Sequence, residues 1–167
     1  MKKYFQFNGT INGTTYFLRM LFTIVLSIPF LIIIFAFFGI FAIEYAEIDM
    51  QNPESFDQQA LEEKIQNNPD EFFDALTSSF TLFWVISIII SLIPVVWFSL
   101  AAYYKRVSAL FYENRLNVFI GLIIYEITAN IIYANNDNWI SSVFMVGSLI
   151  IFLYMLFKDS GIEEHEG

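Results

Sequence analysis

From Phe80 to Tyr104 the chain runs for about two dozen residues without a formal charge, and Lys105 and Arg106 follow at once. At roughly 1.5 Å rise per residue, a helix of that length crosses a hydrocarbon layer about 30 Å thick. In lipid the backbone has no water to bond, so such a stretch must be helical. A long acidic segment lies before it and a basic pair after it, and that asymmetry sets which end faces the cytoplasm. The other apolar blocks are placed relative to this one.

Three further blocks follow the same logic. Of the 167 residues, 57% are hydrophobic and 19% aromatic. They fall in long blocks, which is a membrane pattern, and not in the stripes of a soluble helix. The expected spans are residues 20–43, 80–104, 118–133 and 139–157. The expected fold class is an all-α integral membrane protein with four transmembrane helices, forming a single membrane domain over residues 1–167. Residues 44–79 form an acidic, extracytoplasmic helical hairpin inserted between the first two spans. The first span is too long, and starts too far from Met1, for a cleaved signal peptide. Pro29 predicts a kink within it, with Ser27 near enough to satisfy a freed carbonyl.

Residues 1–19 carry Lys2, Lys3 and Arg19 and no acid. Gly9 and Gly13 argue against a helix there, and Tyr4, Phe5, Phe7, Tyr16 and Phe17 suit a segment lying at headgroup level. The acidic segment holds ten carboxylates against Lys64 alone. Within it, Ser55 and Gln58 have capping-box spacing, with Ala60, Leu61 and Ile65 on a weak apolar face. A second helix starts at Asn68-Pro69-Asp70-Glu71, with Pro at the first position and acids at the positive end of the dipole. It is expected to run through Phe72, Phe73 and Leu76 into the second span. These acids suit a Ca²⁺ or cationic-partner site or a solvated hairpin; no calcium-loop motif is present.

With four spans, Lys2, Lys3, Arg19, Lys105, Arg106, Arg115 and Lys158 fall on one side and Lys64 on the other. The bias puts both termini in the cytoplasm, with Arg19, Lys105, Arg106 and Arg115 as a basic anchor at the inner face. In the second span Ser87, Ser91, Pro94, Ala101 and Ala102 share one sector at about 100° per residue, a face that lets helices approach closely. The breaker cluster Ala134 to Asn138 makes the outer turn before the last span, whose small or polar positions are Ser141, Ser142, Gly147 and Ser148. The tail beyond Lys158 is acidic and glycine-flanked, and is expected to be free.

Glu126 is the most informative residue. An ionised carboxylate at membrane depth costs on the order of 3 kcal/mol or more, so it must face protein or water. Asn130 and Tyr133 follow on its face, and Asn117, Gly121, Tyr125 and Thr128 lie on the opposite one. A helix polar on both sides is packed on both sides. Glu126 is then a proton or cation relay, a hydrogen-bonded bundle residue, or a residue near water in a short re-entrant hairpin.

No catalytic constellation emerges. There is no cysteine, and the sole histidine, His165, lies in the tail. The pairs Glu62-Glu63 and Asp70-Glu71 sit on an exposed hairpin, and neither a phosphate loop nor a zinc-protease motif is present. The chain is not expected to be an enzyme or to hold a cofactor or metal. No basic stripe is present for nucleic acid.

Phe5, Phe7 and Gly9, the pair Tyr16-Phe17, and Lys105-Arg106-Val107 carry a likeness. The layout resembles the bacterial inner-membrane proteins of domain-of-unknown-function family 805. Those open with F-x-F-x-G-R-x-x-R-x-x-[FY]-W and end their second span in R-R-L-H-D. Here Thr10 and Gly13 stand in place of the two arginines, and Ser108 and Ala109 in place of His-Asp. The resemblance implies a multi-pass protein of the bacterial inner membrane and no particular activity. The functional expectation is a non-enzymatic membrane subunit, a scaffold or assembly partner in the bilayer, with another membrane protein or a second copy as partner. The alternative is a small transporter or channel for a proton, ion or solute, with Glu126 and Asn130 on its path.

Overall fold

The first long helix starts where an asparagine can cap it. Asn12 Oδ1 accepts the Thr15 N–H at 2.7 Å, and the Asn12 carbonyl accepts the Tyr16 N–H at 2.9 Å. In the computed structural model, which describes residues 2–48, 51, 57–135 and 139–165, the helix opened by that cap begins at Gly13. The elements are α1 (Lys2–Phe5), α2 (Gly13–Leu26), α3 (Ile28–Tyr45), α4 (Gln58–Asn67), α5 (Pro69–Ser79), α6 (Leu82–Leu110), α7 (Arg115–Asn135) and α8 (Trp139–Phe157). All regular structure among the described residues is helical.

Four helices are long and apolar enough to cross a membrane: α2 and α3 taken together over Gly13–Tyr45, then α6, α7 and α8. Their surfaces carry apolar side chains outward, with Phe35 at 72% and Ile90 at 62% exposure. Faces that greasy are compatible with hydrocarbon and not with water. The helix of marginal length expected over 118–133 is longer than its apolar run, because it starts at Arg115 and ends at Asn135. At about 1.5 Å per residue its 21 residues reach about 30 Å.

Near Pro29, where a kink is expected, the helical run is broken at one residue. The helix is interrupted at Ser27, which separates α2 from α3, and Pro29 occupies the first turn of α3, where its missing N–H costs nothing. Pro94 by contrast lies inside α6, which continues through it.

The chain divides into two compact units, one formed by Met1–Val25 with Val95–Gly167, the other by Leu26–Pro94. The second unit is held by aromatic rings. Phe37, Phe41 and Tyr45 recur every fourth residue and so share one face of α3. Phe37 meets Phe80 with ring centroids 4.1 Å apart and Trp84 at 5.4 Å. Phe72 of α5 stands edge-on to Phe41 and Tyr45 at 5.6 and 5.3 Å. Lys64 of α4 lies over the Tyr45 ring, 4.6 Å from its centroid. These contacts draw the acidic helices against the end of α3.

Within the acidic segment α4 is capped by Asp57, whose Oδ1 accepts the Gln59 N–H at 3.0 Å; the box at Ser55 lies outside the described residues. The α5 start at Asn68-Pro69 is found, with Asp70 and Glu71 in the first turn, although the Asn68 side chain makes no cap bond. Helix α5 does not run on into α6. It stops at Ser79, where Thr77 bonds back to the Phe73 carbonyl, and Ser78 and Ser79 bond to that of Ala75 at 2.9 and 2.8 Å. Such hydroxyls compete with the helical ladder.

The first unit packs α2, the second half of α6, α7 and α8 around Ile11, Tyr16, Val107 and Met155, all fully buried. The segment before Gly13 does not lie free on a membrane surface. Trp97 Nε1 donates to the Phe5 carbonyl at 2.8 Å, and Phe7 stands edge-on to Trp97 and Tyr104 at 5.2 and 5.7 Å. Gly9 turns this segment with a φ of 85°.

Gly13 is set by sterics. A Cβ built there would lie 1.9 Å from the Leu156 carbonyl oxygen of α8. Gly13→Ala must push two helix ends apart, and the expected loss is about 1–3 kcal/mol. A thermal melt of the detergent-solubilised protein followed by circular dichroism checks it; an unchanged midpoint contradicts the close approach.

Candidate functional site

Two constellations emerge from the residues singled out above, both inside the first unit. One is the basic group and the other surrounds Glu126.

The basic residues were expected as a headgroup-level anchor. Of Arg19, Lys105, Arg106 and Arg115, only Arg115 is exposed, with its guanidinium over the Tyr112 ring. Lys105 and Arg106 are each 1% exposed, because α6 continues past them to Leu110 and turns them inward. Arg19 is buried as well, its guanidinium carbon 5.0 Å from the Tyr4 ring centroid. Two nitrogens of that guanidinium, Nε and Nη1, are buried without a hydrogen-bond partner.

Each nitrogen of the Arg106 guanidinium donates a hydrogen bond. Its Nε donates to the Met155 carbonyl at 2.5 Å, Nη1 to the Ile11 carbonyl at 3.2 Å and Nη2 to the Lys158 carbonyl at 2.5 Å. The last turn of a helix leaves its carbonyls without intrahelical donors and carries the negative end of the dipole. The planar fork of an arginine meets both needs at the end of α8.

The tail belongs to this cluster. His165 Nδ1 is 3.2 Å from Thr10 Oγ1, and its Nε2 is 3.4 Å from Ser160 Oγ. The Gly161 N–H donates to Asp159 Oδ1 at 3.1 Å, with Gly161 at a φ of 66°. Nothing in the spacing of Thr10 and His165, 155 residues apart, announces this docking.

Glu126 is positioned by the pairing of α7 with α8. The neighbouring Tyr125 donates its hydroxyl to the Phe144 carbonyl at 3.0 Å and stacks on the Phe144 ring at 5.5 Å. Gly147 makes room for it: a Cβ there would lie 2.0 Å from the Tyr125 hydroxyl. Tyr125 therefore faces α8, although helical spacing groups it with Asn117 and Thr128. With that key in place, Ser148 donates to Glu126 Oε2 at 3.4 Å. Both residues line a cavity of about 370 Å³, with Tyr16 and Met20 of α2, Ser99 and Tyr103 of α6, and Phe152 of α8 among its walls.

Of the expected intramembrane trio, only Glu126 reaches this cavity. Asn130 is exposed and turns its Nδ2 to the Glu126 main-chain carbonyl at 2.8 Å; Tyr133 is 39% exposed. The cavity lies toward the basic ends of the helices. Tyr16 is one turn from the start of α2, Tyr103 two turns from the end of α6, and Phe152 about a turn and a half from the end of α8. On the small-residue face of α6, Ala101 and Ala102 are wholly buried in the first unit. Ser91, bonded to the Ile88 carbonyl at 2.8 Å, is buried in the second, where Ser87 is half-buried and Pro94 exposed. Among the described residues no three carboxylates or histidines are close enough to share a metal ion.

His165 carries a pH prediction. Burial lowers its pKa below the ordinary 6.5, the nearby Arg106 lowers it further, and Asp159 works the other way. A base with a depressed folded pKa binds fewer protons docked than free, so docking strengthens as pH rises. The docked tail is expected to hold above pH 6.5 and to loosen as the pH falls below it. Hydrogen exchange of residues 158–165 at pH 7.5 and pH 5, corrected for intrinsic rates, checks this, and equal protection at both contradicts it.

These residues stand without a relative to interpret them by: no family model, no curated protein and no solved structure matches the chain.

Proposed function

We propose that the protein is a non-enzymatic subunit of a membrane assembly, working through contacts between transmembrane helices. One observation carries this reading. Helix α7 is polar on two sides, and the fold covers only one of them. Its Tyr125–Glu126–Ala129 side packs inward, whereas Asn117, Gly121 and Thr128 are exposed on the other side, with open space beyond Gly121. A hydroxyl and a glycine at membrane depth, with a carboxamide at the inner end of the same face, are poor company for lipid tails and good company for a second helix. The occupant that fits is a transmembrane helix with small or hydroxyl-bearing residues of its own, contributed by another membrane subunit or by a second copy.

The rest of the reading follows from the charges. Lysine and arginine bias places both termini in the cytoplasm and the acidic helices α4 and α5 outside. The resemblance to family 805 adds a bacterial inner membrane. Because the chain has no cysteine, Gly121→Cys and Thr128→Cys are single-thiol probes in an otherwise silent background. In native membranes, oxidative or short-linker crosslinking at these positions is expected to give a discrete larger species, with Leu153→Cys on α8 as the control that does not. A strictly monomeric, partner-free protein in mild detergent, with no crosslink at either site, contradicts the proposal.

The Glu126 cavity favours a second reading, in which the chain moves a proton, ion or solute. Flux through reconstituted vesicles is then expected to fall to background in Glu126→Gln while the fold survives. Flux equal to that of the wild type in that variant, or no flux from the wild type, removes it.

A further inference from the structure

The cavity beside Glu126 has the makings of a small-molecule site. Its volume of about 370 Å³ lies within the range of about 300–1,000 Å³ usual for ligand pockets. Of its lining residues only Tyr16 is fully buried, and the others are half-buried, so the cavity is open and not enclosed. Every wall belongs to one of the four helices long and apolar enough to cross a membrane. A ligand that enters there must itself be soluble in lipid.

The chemistry of the walls narrows the ligand further. Most of the lining is aliphatic or aromatic, with the rings of Tyr16, Tyr103 and Phe152 among it. The polar groups are hydroxyls and one carboxylate, that of Glu126; among the described lining residues there is no lysine, arginine or histidine. An anion meets a carboxylate and finds no cationic donor. A divalent metal ion is only half neutralised by a single carboxylate, and the other oxygens on offer are the four neutral hydroxyls of Tyr16, Ser99, Tyr103 and Ser148, not the carboxylates and carbonyls that calcium and magnesium take. A neutral polar solute leaves its remaining donors and acceptors against apolar walls, which is costly. A single positive charge wrapped in apolar groups meets none of these objections. Its charge faces a carboxylate, its flanks face ring π-surfaces that attract cations, and its apolar arms fill the rest.

We infer that the cavity is a binding site for a lipophilic monovalent cation, a tertiary or quaternary ammonium or phosphonium, with Glu126 as its counter-ion and the rings of Tyr16, Tyr103 and Phe152 as its walls. The inference deepens the second reading above by naming the ligand class, but it needs occupancy alone. Equilibrium binding tests it, and flux tests transport, so that either can fail without the other. It is independent of helix association through the outward face of α7.

The experiment is equilibrium binding of tritiated tetraphenylphosphonium to the purified full-length protein in nanodiscs, with empty nanodiscs subtracted. Tetraphenylborate, of the same shape and opposite charge, is measured in parallel. Saturable binding of the phosphonium and none of the borate is expected. Glu126→Gln is expected to weaken binding at least about tenfold, and Glu126→Asp to retain most of it. Ile151→Trp, which fills the cavity from α8 and leaves the carboxylate, is expected to abolish binding, and this second variant carries the test if the glutamine variant misfolds. No saturable phosphonium binding, equal binding of the two ions, or wild-type affinity in either folded variant overturns the inference.

Discussion

The first unit depends on one guanidinium holding three stretches of chain that are distant in sequence. Arg106, in α6, reaches the carbonyls of Ile11 before α2 and of Met155 and Lys158 at the end of α8. Removing an arginine from water is expensive, and the cost is offset only when the donors find well-placed acceptors. Orphan carbonyls at a helix end are such acceptors, and they also carry a partial negative charge. The interaction works in both directions. The helix end supplies the partners that make the burial tolerable, and the cation supplies the donors that the helix end lacks. Gly13 is a consequence of this closure, since the α8 carbonyl of Leu156 fills the space where any side chain would stand.

The architecture was legible where hydrophobic length decided it. Four blocks of apolar sequence became four helices long enough to cross a membrane, and the start at Asn68-Pro69 was found where proline and the acids placed it. What the sequence hid was governed by partners at long range. Asn12 reads as an ordinary polar residue until its side chain is seen capping Thr15, and the glycine after it looks like a breaker when it is the first residue of a helix. Lys105 and Arg106 read as an interfacial pair, because charge after an apolar run has that meaning on average. The burial of Arg106 depends on a helix end 49 residues away arriving with free carbonyls.

The Glu126 site was half legible for a similar reason. A lone carboxylate in an apolar run signals that something must face it, and Ser148 does. The residues taken with it from helical spacing, Asn130 and Tyr133, lie on its side of the helix but beyond the region where α7 is covered. Helical periodicity assigns a face; it does not say how far along the helix the neighbour extends. Tyr125 shows the opposite failure. Spacing groups it with Asn117 and Thr128, which are exposed, but it lies one turn from the buried Ala129, and Gly147 leaves room for its ring against α8. In the second unit the aromatic ladder of Phe37, Phe41 and Tyr45 was equally quiet in sequence, because α3 is apolar on every side and shows no stripe to read.

The closure at Arg106 and the cavity at Glu126 are connected by one turn of helix. Gly13 rests on the end of α8, and Tyr16, three residues on, is both part of the buried core around Val107 and Met155 and a wall of the cavity. Ile151 and Phe152 of α8 line the same cavity one turn before the carbonyls that Arg106 holds. The distance between the ring of Tyr16 and the α8 wall is therefore set by how tightly the helix ends are drawn together. A close-packed interior passes displacements on instead of absorbing them. The shape of the cavity is thus fixed from the cluster of carbonyls and charge at its basic end, while its chemistry is fixed by Glu126, and the two can be altered separately.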